Sequence, residues 1–136
     1  TPSAIKSALM TSARQDVKAS AGLGDASPFD FGAGHIVPNK ALDPGLVFDV
    51  SDDEYDAFAC GVESPAVSSA RCDELAAAGF SFAAADLNQP SISTSTLAVQ
   101  QTIQRRATNV GDEAESFTVA ASAPPGMNVA VGQFIE

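Results

Sequence analysis

"PFDFGAGHIVPNKALDPGLVFDV", residues 28–50, holds the only histidine of the chain, His35, inside a Gly-Ala-Gly-His loop. An imidazole between glycines has the look of a catalytic base or a metal ligand. A Ser-His-Asp arrangement needs a nucleophile within hydrogen-bond reach of that base. Many serines are present, yet none sits in a Gly-x-Ser-x-Gly elbow. Asp30 and Asp43 are near His35 in sequence, which is not geometry. A metal would need companion ligands, and two cysteines with one histidine offer no zinc set. The stretch therefore reads as a structural loop. Gly32 and Gly34 permit backbone geometry that a side chain would forbid. "FDFGAGHIV" is expected to give a short strand broken by its glycines, and "PNKALDPG" a short helix closed by a Pro-Gly turn.

Outward from this stretch, the N-terminal "TPSAIKSALMTSA" carries a helix start: Thr1 as N-cap and Pro2 at the first helical position. Ile5, Ala8, Leu9 and Ala13 share one face at helical spacing, while Lys6 and Arg14 point to solvent. That stripe is nearly all small residues, so it should lie closely against a larger core. Residues 19–28 read as a surface loop.

"SDDEYDAFACG" is a second helix, with Ser51 and Glu54 as a capping box and Asp52 and Asp53 at its positive end. Gly61 is its expected stop. "SSARCDELAAAG" repeats the logic, with Ser69 before the helix and Gly79 after it. Cys60 and Cys72 lie on or beside these helices. A twelve-residue separation fits neither a redox nor a metal CxxC motif. A disulfide closing a short acidic loop is the preferred reading and implies an oxidising compartment; two buried thiols are the alternative.

From Leu87 the apolar period shortens to two. Val99, Ile103, Phe117, Val119, Val129 and Val131 are candidate inward residues of strands, punctuated by Pro124, Pro125 and Gly126. Three or four strands in that style predict part of an antiparallel β-sandwich, which wants about seven. "QRRATN" reads as a solvated strand edge. The opening helix lacks a core and the sandwich lacks strands, so both ends look cut, and Thr1 in place of Met suggests a processed piece.

Net charge is −10, and residues 51–90 carry one Arg against eight acids. Such a surface argues against nucleic acid or an anionic membrane as partner. No apolar run is long enough to span a bilayer. Calcium at Asp52, Asp53, Glu54 and Asp56 is conceivable, but their spacing matches no EF-hand loop, so no cofactor is expected. No phosphate-cradling glycine motif is present.

The order of motifs is informative. "TPSAIKSALMTSA", "PFDFGAGHIVPNKALDPGLVFDV", "DEYDAFACG", "DLNQPSI" and "RRATNVG" follow one another in a way that resembles the subtilisin-like serine proteases, in the larger forms that carry a fibronectin type III-like domain. The resemblance implies an α/β fragment, the end of a subtilisin-like domain, followed by a partial antiparallel β-sandwich. It places residues 1–50 at the C-terminal end of the peptidase domain, 51–86 as an acidic helical linker and 87–136 as the partial fibronectin-like sandwich. Gly32, Gly34, His35 and Pro38 match a Gly-x-Gly-His-x-x-Pro stretch that is structural in the family. The family's Gly-Thr-Ser-Met nucleophile and His-Gly-Thr motifs do not occur here, and the catalytic Asp, His and Ser would precede Thr1. No catalytic residue is therefore assigned, and the chain alone is expected to be inactive. The implied parent is a secreted or extracellular serine endopeptidase acting on protein or peptide substrates. The implied partner of this piece is the upstream catalytic portion, for which it serves as scaffold. Two other readings stay open: a non-catalytic extracellular β-sandwich binding module, and a degenerate protease fragment.

Overall fold

Thr1 does cap the first helix, α1 (Pro2–Thr11): its Oγ1 accepts the Ala4 N–H at 3.0 Å, and Pro2 occupies the position where a missing N–H costs nothing. A computed structural model describes residues 1–20, 24–94, 97–121, 123 and 126–132. Pro124, Pro125 and the end of the last expected strand, residues 133–135, lie outside the described residues.

The buried face of α1 is not the expected apolar stripe. Ser3, Ser7 and Ala8 are buried, whereas Ile5 is 64 % exposed. The reason is a polar fit. Ser7 Oγ accepts the main-chain N–H of Phe48 at 2.8 Å, and Ser3 Oγ accepts that of Val50 at 2.7 Å. Four residues of helix rise about 6 Å and two residues of extended chain about 6.6 Å, so the two spacings match. Small hydroxylated residues let the extended chain come close and satisfy N–H groups that have no sheet partner there.

Between α1 and this docked segment the chain makes a loop closed by a main-chain pair: Arg14 N–H to His35 O at 3.0 Å and His35 N–H to Arg14 O at 2.8 Å. The expected strand at 29–37 is replaced by a short helix, α2 (Pro28–Phe31), and then this single bridge. Pro28 at the first helical position and the Asp30 carboxylate on the Ser27 N–H (2.8 Å) favour the turn over a strand. α3 (Pro38–Ala41) follows, and Gly45, at φ +66°, turns the chain into β1 (Leu46–Val47).

β1 pairs antiparallel with β2 (Thr108–Asn109), with Leu46 opposite Asn109 and Val47 opposite Thr108. This is the one sheet among the described residues. The alternating segments from Leu87 onward otherwise form no ladder there. Val99, Phe117, Val119, Val129 and Val131 remain exposed. A ladder needs a facing strand and an apolar face needs a facing layer, and the described residues supply neither to them.

α4 (Asp52–Gly61) and α5 (Ser69–Ala77) form a hairpin. The Ser51–Glu54 capping box is present in both directions, at 3.2 and 2.7 Å. α5 is capped by Ser68, one residue before the expected Ser69, because the Ser68 hydroxyl reaches the Arg71 N–H. Both helices end in the same 6→1 and 5→2 hydrogen-bond pattern. In α5 the left-handed residue is Gly79 (φ +85°). In α4 it is Glu63 (φ +54°), not Gly61. Gly61 serves another need: a Cβ there would sit 1.8 Å from the Phe82 carbonyl oxygen. Among the described residues the buried apolar set is small: Ala8, Val47, Val50, Ala57 and Leu75.

Candidate functional site

His35 meets Arg14 through its main chain, and its side chain faces the surface. Gly34 explains the glycine before it. Its φ is +124°, and a Cβ would stand 2.5 Å from the Arg14 carbonyl oxygen, so the two chains touch backbone to backbone. Gly32 has φ +59° at the end of α2, and Pro38 starts α3. These four residues shape turns. The structure brings no serine and carboxylate to the imidazole in a hydrogen-bonded set among the described residues.

Cys60 and Cys72 are joined, with an S–S distance of 2.06 Å, and tie α4 to α5. Beside them Arg71 gathers carboxylates. It bonds Asp56 through Nε at 3.1 Å and Asp53 through Nη2, and Glu74 lies 3.5 Å away. The Asp56 and Asp53 hydrogen bonds raise the guanidinium pKa above its ordinary value. Glu54 is engaged by Ser51 and by Arg106. Asp53, Glu54 and Asp56 of α4 thus face cations of the chain itself. No group of three potential ligands is arranged for a metal among the described residues.

A dense polar junction lies where four segments meet around Asn88, which is 4 % exposed. Its Nδ2 donates to Asp49 O at 2.8 Å and to Arg106 O at 2.9 Å, and its Oδ1 accepts the Arg106 N–H at 2.8 Å. Arg105 donates from Nε to Gln89 O (2.9 Å) and from Nη2 to Ala85 O (2.8 Å). Burial pulls its pKa down from the ordinary value, and the nearby Asp86 charge opposes that. Arg106 Nη2 lies 3.1 and 3.2 Å from the two Glu54 oxygens. Arg105 of "QRRATN" is thus clamped among main-chain carbonyls, while Arg106, 66 % exposed, and the exposed strand residues Thr108 and Asn109 keep the solvated strand edge that the composition suggests. A hollow of about 240 Å³ flanks the junction, lined in part by Glu54, Phe58, Phe80, Asp86 and Arg106. Its acids are already partnered, Glu54 with Arg106 and Asp86 with the Ser81 hydroxyl at 2.7 Å.

Asn88 and Arg105 carry this junction, and composition alone does not single them out. The available signal is that "DLNQPSI" and "RRATN" stand as a pair of motifs eighteen residues apart at their contact, Asn88 to Arg106.

At the edges of the molecule, Asp49 accepts the Thr1 hydroxyl at 2.6 Å, which holds its carboxyl below the usual carboxylate range. Asp30 is held low chiefly by the Ser27 main-chain N–H and then by the Ser27 hydroxyl. No helix among the described residues is long and apolar enough to cross a membrane.

Comparison with known proteins adds two findings. The family model of the fibronectin type-III domain matches residues 86–133. Over 96 % of its length the chain is also similar to subtilisin-like proteases. It is 34 % identical to Subtilisin-like protease SBT2.6 and 37 % to SBT3.9, both of Arabidopsis thaliana, and 37 % to Subtilisin-like protease SBT3 of Solanum lycopersicum. The chain spans 18 % of the length of the first two relatives and 19 % of the third.

Proposed function

The chain is homologous to the subtilisin-like serine proteases along nearly its whole length and carries a fibronectin type III-like segment, and on that premise we propose that it is the C-terminal portion of a secreted subtilisin-like endopeptidase and acts as scaffold. In this reading residues 1–50 close the peptidase domain, 51–86 form an acidic helical linker and 87–136 begin the sandwich. The parent hydrolyses peptide bonds with a serine nucleophile, a histidine base and an oxyanion hole, none of them supplied by this piece. Its partner is the catalytic portion of the same protease, and protein or peptide substrates reach it only through that portion. The Cys60–Cys72 bridge supports an oxidising, extracellular setting.

The observation that carries the scaffold role is uncovered surface. A folded 13.8 kDa monomer exposes roughly 6,600 Å²; this chain exposes 10,269 Å². Phe29 is 99 % and Leu42 85 % exposed, on the same 1–50 unit as Ile5. Large apolar side chains in such numbers suit a surface that packs against further protein.

The test is a serine-directed fluorophosphonate probe together with a peptide-hydrolysis assay on the purified chain. Neither labelling nor turnover is expected. A chain that hydrolysed peptide, and lost that activity on His35→Ala, would overturn the reading.

A further inference from the structure

We propose that Arg105-Arg106 is a latent cleavage site for an endopeptidase with an acidic primary pocket, kept shut by Asn88. The proposal does not depend on the activity of the parent protease. A dibasic pair in a stretch without helix or ladder, residues 101–107, is the kind of segment such an enzyme binds, and Ala107 after it places no obstacle in the pocket beyond the scissile bond.

Cutting there adds water across the Arg106–Ala107 bond: hydroxyl to the Arg106 carbonyl carbon, hydrogen to the Ala107 nitrogen. A serine endopeptidase does this by drawing the carbonyl oxygen of the residue before the bond into its oxyanion hole. Here that oxygen accepts Asn88 Nδ2 at 2.9 Å, and the N–H of the same residue donates to Asn88 Oδ1 at 2.8 Å. One amide side chain therefore occupies both main-chain groups that the enzyme has to engage. The Arg106 guanidinium, which would enter the primary pocket, pairs with Glu54. The Arg105 guanidinium is held by two carbonyls, of Ala85 and Gln89. Beyond the bond, Thr108 and Asn109 are tied to β1. Every handle on the site is engaged, and cleavage requires local opening of this clamp. A cut would divide the stretch that matches the fibronectin domain.

Trypsin at low ratio, with fragments timed by mass spectrometry, tests this on the full chain. The unaltered protein is expected to be cut after Arg106 at least about tenfold more slowly than after Lys18, where the neighbouring Val17 carbonyl and Ala19 N–H, and not the Lys18 carbonyl, make the main-chain bonds of the bridge to Asp25. Asn88→Ala, which leaves buried main-chain groups unpaired, is expected to speed cleavage after Arg106 by about tenfold or more, with Arg71 unchanged. Glu54→Gln leaves Asn88 in place and is expected to give a smaller rise confined to the same bond. Cleavage of the unaltered chain after Arg106 as fast as after Lys18, equal acceleration at all basic residues in both variants, or no change in either, overturns the proposal.

Discussion

The Ser3 hydroxyl accepts the main-chain N–H of Val50 across forty-seven positions of sequence, at 2.7 Å and out of water. Ser7 does the same for Phe48 one helical turn on. These two bonds, beside the burial of Ala8, Val47 and Val50, hold α1 to the segment that leads into α4. Removing an acceptor leaves a buried N–H unpaired, which costs about 1–3 kcal/mol. Ser7→Ala is expected to lower stability by that amount, read as a fall in the urea midpoint. Ile5→Ala, on the exposed side of the same helix, is expected to stay within about 0.5 kcal/mol. The opposite ranking would restore the apolar stripe as the packing face.

Gly61→Ala separates two opposed effects. In an exposed helix the change stabilises by about 1 kcal/mol. Here the new methyl would stand 1.8 Å from the Phe82 carbonyl oxygen, so either the 79–83 segment moves or the end of α4 unwinds. The expected result is a loss, with helicity by circular dichroism reduced or the Cys60–Cys72 hairpin opened to hydrogen exchange. A gain in thermal midpoint would mean that Phe82 gives way freely.

The elements that were legible in the sequence are those written in local chemistry. Thr1-Pro2, Ser51 with Glu54, and Gly79 each act within one helical turn, and each stands where its residue type indicates. What was not legible depends on partners distant in sequence. Ser3 and Ser7 read as filler between apolar residues until Phe48 and Val50 lie against them. Arg105 reads as a solvated charge until the carbonyls of Ala85 and Gln89 surround it. The 29–37 stretch failed as a strand because Pro28 and Asp30 favour a turn at close range. The alternation after Leu87 is compatible with the fibronectin type-III match, yet among the described residues only Thr108–Asn109 finds a strand to pair with. Periodicity states which face is apolar; it does not supply the layer that covers it.

Glu63 gives a gain-of-stability test. It closes α4 in the left-handed region at φ +54°, where a side chain costs roughly 1–2 kcal/mol. Glycine removes that strain and adds some freedom to the unfolded chain. Glu63→Gly is expected to stabilise by about 0.5–1 kcal/mol, read as a higher urea midpoint at unchanged slope. Glu63→Val, β-branched at the same position, is expected to destabilise. Equal midpoints for the two variants would show that the turn relaxes out of the left-handed region.

Acid sensitivity should arise at Asp49 and Asp30. The Thr1 hydroxyl lowers the Asp49 pKa, and the Ser27 N–H lowers that of Asp30. In the unfolded chain both return to about 3.9. Between the folded and unfolded values the unfolded state binds more protons, so stability rises with pH there. The contribution is complete above about pH 5 and is lost as pH falls through the lower folded values. Urea midpoints taken from pH 6 down to pH 2.5 should hold level and then drop. Asp49→Asn and Asp30→Asn should each make the drop shallower, and the double variant more so. A midpoint that instead fell as pH rose from 4 to 6 would mean that these carboxyls are favoured protonated in the fold, and that the Thr1 and Ser27 contacts do not stabilise their charge.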